Sequence, residues 1–188
     1  MRTALIQYAF GPHIALLELT KPKHKQMCDK HSIEYYCYEY QPQGHPYWEK
    51  PAIIARTLLH GFDKVIWLDA DTLWINGNIA EANQTHSLGM TWHHLEDPSH
   101  YNAGAIYINN SKETVELVQE WLATPDDGHK WADQYALNKI LNETNTVRLG
   151  HEWNAMNIYP SDNPNVLAWH GCGGNCFTQM REAVHAFL

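Results

Sequence analysis

Positive charge is scarce: 13 Lys and Arg stand against 21 Asp and Glu, a formal charge of −8 with histidine neutral. That balance argues against a nucleic-acid-binding surface, which needs clustered Lys and Arg to displace counterions. Long apolar runs are also missing. No stretch reaches the roughly 18 residues of a membrane span. The opening Met1-Arg2-Thr3-Ala4-Leu5-Ile6-Gln7 lacks the apolar centre of a signal peptide. Cysteine is limited to Cys28, Cys37, Cys172 and Cys176, without the paired C-x-x-C of a zinc ribbon. Free thiols are the expectation, with pairing of Cys172 and Cys176 the alternative. A chain that folds in the cytosol or faces it is expected, or a catalytic domain cut from something longer. The glycosylation-type triplets at Asn83, Asn109 and Asn142 then read as chance matches.

What is present suits one domain spanning residues 1–188, with 44% apolar and 18% charged residues. No repeat or low-complexity linker interrupts it. Thr3 to Phe10 reads as a buried strand. Lys21 to His31 reads as helix, Ile33 to Tyr40 as a Tyr-rich strand, and Gln41 to Pro46 as a turn. Trp48 to His60 reads as a helix, with Pro51 in its first turn, Ile53, Ile54, Thr57 and Leu58 on one face, and Gly61 as its stop. Asp63 to Leu68 is a strand apolar on both faces, which belongs inside a parallel sheet. Leu88 to Trp92 and Ala103 to Asn109 are further strands. Ser111 should cap a helix carrying Val115, Val118 and Leu122 that ends at Pro125, and Trp131 to Leu141 is another helix. The remainder reads as loops and short strands. Alternating strand and helix predicts an α/β fold with a mainly parallel central sheet flanked by helices.

The sharpest chemical feature is Leu68-Asp69-Ala70-Asp71, two carboxylates directly after a buried strand. Ligands of open α/β sheets bind just beyond strand C-terminal ends. Two acidic groups there repel unless a cation lies between them. Oxygen ligands suit Mg²⁺ or Mn²⁺, which could hold a diphosphate. The bland alternative is a pair of solvated turn residues. Tyr101-Asn102-Ala103-Gly104 offers an amide for sugar hydroxyls and a glycine for close backbone approach. Asp133 and Gln134 open a helix, where Asp133 either favours the dipole or lines a pocket. His170 precedes three glycines, Gly171, Gly173 and Gly174, and could complete a metal shell as a neutral imidazole.

Taken in order, these segments resemble the retaining GT-A-type glycosyltransferases, in particular the galactosyl- and glucosyltransferase families with an LDADT strand end. The likeness runs from about residue 45 to 175 through Trp48-x-Lys50, Leu68-Asp69-Ala70-Asp71-Thr72, Asn102-Ala103-Gly104, Asp133-Gln134 with Asn138, Trp153-Asn154 and His170-Gly171. It implies a Rossmann-like GT-A fold and a Mn²⁺ or Mg²⁺ ion held by Asp69, Asp71 and His170. It implies a nucleotide-sugar donor, with uridine the first expectation and guanosine-linked mannose the alternative. Gln7, Tyr8, Lys50, Asp69, Asn102 and Gly104 would bind the donor, and Asp133 and Gln134 would act at the reacting carbon. The acceptor would be a glycan, a lipid-linked sugar or a protein. The stretches from Asp71 to Asn102 and after His170 are short, so reduced acceptor loops are expected. Two rivals use the same residues. A haloacid-dehalogenase-type phosphatase would use Asp69 as nucleophile, although Thr72 is at the wrong offset and Asp126-Asp127 follows no apolar strand. An inactive sugar-nucleotide binding module would use the eight tryptophans and ten tyrosines for stacking. A histidine-based metal store around His86, His93, His94 and His100 has no regular ligand spacing.

Overall fold

Strand β1 (Thr3–Ala9) is buried along its whole length, as a strand covered on both faces must be. In this computed structural model, which describes residues 1–92, 101–125, 127–129, 131–156, 160–170 and 176–187, β1 pairs in parallel with β2 (Glu34–Glu39) and β3 (Lys64–Leu68). Helices α1 (His13–His31) and α2 (Glu49–Leu59) make the two crossovers. β3 next pairs antiparallel with β6 (Tyr101–Asn109), and β6 antiparallel with β5 (Leu88–Trp92). β5 pairs in parallel with β7 (Thr146–Leu149). The order is β2-β1-β3-β6-β5-β7, with β6 alone running against the rest. The sheet is therefore mainly parallel, as expected, with one reversal. That reversal matters: it sets the start of β6 beside the end of β3, with Leu68 opposite Ala105.

Period-2 alternation sorts the strand side chains into two layers. Ala4, Ile6, Val65 and Trp67 face α2, α3 (Lys112–Ala123) and α4 (Ala132–Ile140) through Ile53, Ile54, Leu117, Trp121 and Leu137. Leu5, Ile66 and Leu68 face the other way, towards Met27 and Cys28 of α1 and Trp74. Each such fully buried Leu or Ile contributes about 1.5–3 kcal/mol. A second sheet, β4-β9-β8, lies beyond β3 in the chain and joins β4 (Thr72–Trp74), β9 (Val166–Ala168) and β8 (Ala155–Met156).

The structure departs from the sequence reading in several places. α1 starts at His13 and runs through Pro22, whose exposed ring is accommodated within the helix. The buried face of α3 is Thr114, Leu117, Val118 and Trp121, while Leu122 is exposed. Trp121 decides this, since its indole N–H donates to the Asp133 carbonyl at 2.8 Å. Helix α5 (Cys176–Phe187) replaces an expected loop and packs Met180 and Val184 on Leu16, Leu73 and Trp169. Cys28 and Cys37 are free thiols, as expected. Cys176 is not: it is disulfide-bonded. Cys172 lies outside the described residues. Other features behave as read. Ser111 accepts from the Thr114 N–H at 3.1 Å, and Gly61 adopts φ 78° after α2. Among the described residues no helix is long and apolar enough to cross a membrane.

Candidate active site

The end of β3 carries Asp69. Its N–H donates to the Gly104 carbonyl at 2.8 Å, which extends the β3–β6 ladder by one residue. Its carbonyl accepts from the Thr72 hydroxyl at 2.7 Å, turning the chain into β4. Asp71 is tied to the far end of the chain. The Trp169 N–H donates to the Asp71 carbonyl at 3.0 Å, one step beyond the Thr72–Ala168 pair of the small sheet. That ladder delivers His170, whose Nδ1 lies 2.9 Å from Asp71 Oδ1 across 99 residues of sequence. Ligand atoms of Asp69, Asp71 and His170 all lie within 4.8 Å of one another. Two carboxylate oxygens and one imidazole nitrogen, convergent and part-buried, are a donor set that could hold a divalent cation.

Around them is a cavity of about 370 Å³. It is lined by Trp67, Asp69, Asp71 and His170, by Tyr8, Phe10 and His13 from the β1 end and the turn after it, and by Lys50, Asn102 and Gln134. Pro46, Tyr47 and Trp131 supply apolar surface.

Lys50 is the electrostatic counterweight. Its ammonium lies 2.9 Å from Asp133 Oδ2 and 3.1 Å from Asp69 Oδ1, and donates to the Ala103 carbonyl at 2.9 Å. Burial pulls the lysine pKa down, but Asp133 and Asp69 outweigh it and hold the ammonium protonated. Burial raises the Asp69 pKa above the usual carboxylate range; Lys50 opposes this and the Asp71 charge reinforces it. For Asp71, burial also pushes upward, yet His170 outweighs it and the pKa falls. Burial lowers the His170 pKa, and Asp71 overturns that to leave it raised.

Of the residues singled out from sequence, Tyr8, Lys50, Asp69, Asp71, Asn102, Gln134 and His170 meet at the cavity. Three others are placed differently. Gln7 is fully buried and not on the cavity wall; its amide donates to the Asp69 carbonyl at 3.3 Å and accepts from His24 Nδ1 and the Tyr35 hydroxyl, each at 2.6 Å. Asp133 stands behind Lys50 and is 5% exposed. Gly104 is covered by His170: a Cβ there would lie 2.1 Å from the imidazole Nε2. The glycine makes room for a side chain of this chain, not for close ligand approach. Asn138 clamps the start of β6 by bonding both the N–H and the carbonyl of Tyr101, at 2.8 and 2.9 Å. His93, His94, His100, Asp126, Gly171, Gly173 and Gly174 lie outside the described residues.

Sequence reasoning gave no site role to Trp67, Tyr47 or Trp131, and met Asn154 only within the Trp153-Asn154 segment of the resemblance. Asn154 is fully buried and links Asn102 Oδ1, at 2.8 Å, to His170 Nε2, at 3.3 Å. Trp67 was legible in principle, since a Trp inside a buried strand must find an acceptor for its N–H. That acceptor is Asp69 Oδ1, at 2.6 Å.

A family model described as nucleotide-diphospho-sugar transferase matches residues 12–159. The chain belongs to that family. Among solved structures, this transferase is similar to a glycosyltransferase involved in glycosylation of the major capsid of PBCV-1, with TM-score 0.78, 11% identity and coverage of 99% of this chain and 100% of that one. It is also similar to the galactosyltransferase LgtC solved with donor and acceptor sugar analogs, with TM-score 0.64, 15% identity and coverage of 96% and 95%. GlyE of Streptococcus pneumoniae TIGR4 matches with TM-score 0.69 and 16% identity over 100% of this chain and 60% of that one. At these identities the likeness is one of fold, and the fold is the expected GT-A-type α/β architecture. No curated protein matches the chain. The phosphatase reading gives way to the family of nucleotide-diphospho-sugar transferases.

Proposed function

We propose that this transferase moves a hexosyl group from a uridine-diphosphate sugar to an acceptor hydroxyl, with retention and with Mn²⁺ or Mg²⁺ held by Asp69, Asp71 and His170. The observation that carries this reading is the convergence, in one cavity, of the two neighbouring carboxylates with a histidine 99 residues further along the chain. When bound, the cation supplies the charge that neutralises a departing diphosphate. Tyr8 and Phe10, which line the cavity from the β1 end, would receive the nucleoside. Asn102 keeps its amide oxygen on Gly104 N–H and Asn154, so its NH₂ is the group turned to sugar hydroxyls. Gln134, whose side-chain oxygen Oε1 accepts from the Ala103 N–H at 2.9 Å, lines the cavity where an oxocarbenium-like carbon would need a partner. Asp133 positions Lys50 and does not face the sugar. In this reading the leaving oxygen of the donor takes the acceptor proton, since the carboxylates among the described cavity residues, Asp69 and Asp71, are the ones assigned to the cation. Tyr47 and Trp131 suit the apolar face of a glycan acceptor.

A thermal-shift series with UDP- and GDP-sugars, with and without Mn²⁺, tests the reading. A cognate donor at 100 times its Kd stabilises by about 2.7 kcal/mol, a rise of roughly 5–10 °C for a chain of this size. A flat response to every donor overturns it. Donor hydrolysis in the presence of Mn²⁺ separates an enzyme from a binding module: binding without any hydrolysis or transfer would leave only the module.

A further inference from the structure

Asp69 offers its two oxygens unequally. Oδ1 accepts from the Trp67 indole N–H at 2.6 Å and lies 3.1 Å from the Lys50 ammonium. Among the described residues no hydrogen bond reaches Oδ2. Both groups on Oδ1 are rigidly held. Trp67 is 1% exposed, sits in β3 between its strand neighbours, and packs in the same core cluster as Ile6 and Ile106. Lys50 is anchored independently by Asp133 and by the Ala103 carbonyl. Neither donor can follow the carboxylate if it rotates. Oδ1 is thus committed to two positive hydrogens before any ion arrives.

We propose that Trp67 and Lys50 set the cation preference of this site, by reserving Asp69 Oδ1 so that Asp69 presents one oxygen to a cation and not two. The inference rests on the metal-dependent reading above and concerns which cation that site takes. Ca²⁺ gathers six to eight oxygens and readily uses both oxygens of a carboxylate, whereas Mg²⁺ demands six in a tight octahedron. Mn²⁺ belongs with the octahedral oxygen sites. A site whose first carboxylate is restricted to one oxygen disfavours the larger ion. Trp67 is a positioning residue here: it acts through Asp69 and needs no contact with substrate.

The test is direct titration of the whole chain with Mn²⁺, Mg²⁺ and Ca²⁺ alone by calorimetry, for the parent and for Trp67→Phe, with thermal melting as the control for folding. Phenylalanine keeps most of the buried ring and removes the N–H. The parent should bind Mn²⁺ and Mg²⁺ and discriminate against Ca²⁺. Trp67→Phe should narrow the Mn²⁺ to Ca²⁺ affinity ratio about tenfold, the scale on which groups behind metal ligands act. If Trp67→Phe does not fold, Lys50→Met with Asp133→Asn removes the other Oδ1 contact and neutralises Asp133, the second carboxylate that Lys50 faces, and carries the same expectation. A variant that folds and keeps the parental ratio overturns the proposal while leaving the metal-dependent reading standing. A parent that binds no divalent cation overturns both.

Discussion

Gly104→Ala removes no functional group, yet it should disable the site. Gly104 lies in strand β6 and does not adopt a positive φ, so alanine is acceptable to the backbone. The obstacle is steric. The added methyl would stand 2.1 Å from His170 Nε2, 2.2 Å from Cε1 and 2.8 Å from Asn102 Oδ1. Ordinary contact lies near 3.5 Å, so the imidazole must retreat by more than about 1 Å. It cannot do so freely, because Asp71 and Asn154 hold its two nitrogens and the Trp169–Asp71 ladder holds its backbone. Overpacking of this kind costs about 2 kcal/mol, a fall of roughly 4–8 °C in Tm at this chain length. Mn²⁺ affinity should drop about 10- to 100-fold as His170 leaves its place. The decisive assay is a double-mutant cycle with His170→Ala, read by chemical denaturation and Mn²⁺ titration. Removing the imidazole makes room for the methyl, so the two stability losses should be less than additive by about 1–2 kcal/mol. Additive losses, or parental Mn²⁺ affinity in Gly104→Ala, would refute the reasoning.

Two further outcomes follow from groups outside the cavity. His24 is fully buried as a neutral ring, with Nδ1 on Gln7 and Nε2 accepting the Trp74 N–H at 2.9 Å, and burial holds its pKa down to about 3. Its contribution is complete above its unfolded pKa near 6.5 and is lost as pH falls towards 3, at about 1.4 kcal/mol per pH unit; urea midpoints between pH 7 and 4.5 should fall less steeply in His24→Asn, and an unchanged slope would exclude His24 as the source. Asn138→Ala leaves both Tyr101 backbone groups without their partner and should cost about 2–3 kcal/mol in equilibrium unfolding; a loss below about 0.5 kcal/mol would show that water replaces the clamp.

Much of the chemistry is written locally. The run Val65-Ile66-Trp67-Leu68 declares a strand buried on both faces, and the chain must leave the core just where Asp69 and Asp71 follow. Side chains bound to backbone nearby, such as the Ser111 cap, are legible for the same reason: the interaction spans a few residues. Pairings of short strands are not. β8 has two residues and β9 three, too few to show a period, yet β9 carries His170 to Asp71. The direction of β6 is equally hidden, because an apolar strand reads alike in either sense.

By itself the sequence determined the alternation of strand and helix and the carboxylate pair at a strand end, and it offered His170 as a candidate third ligand through the family resemblance. Only the tertiary structure decided what each group does there. It put Gln7 behind the cavity, turned Asp133 into the partner of Lys50, and made Gly104 the seat of His170. It also gave Asp69 one oxygen, Oδ1, engaged by Trp67 and Lys50, and another that no hydrogen bond reaches among the described residues. The physical reason for the first three is the same: burial and charge pairing depend on which side chains meet across the sheet order and the small second sheet, and those meetings join residues dozens of positions apart. The fourth combines a local bond from Trp67 with the approach of Lys50 from α2.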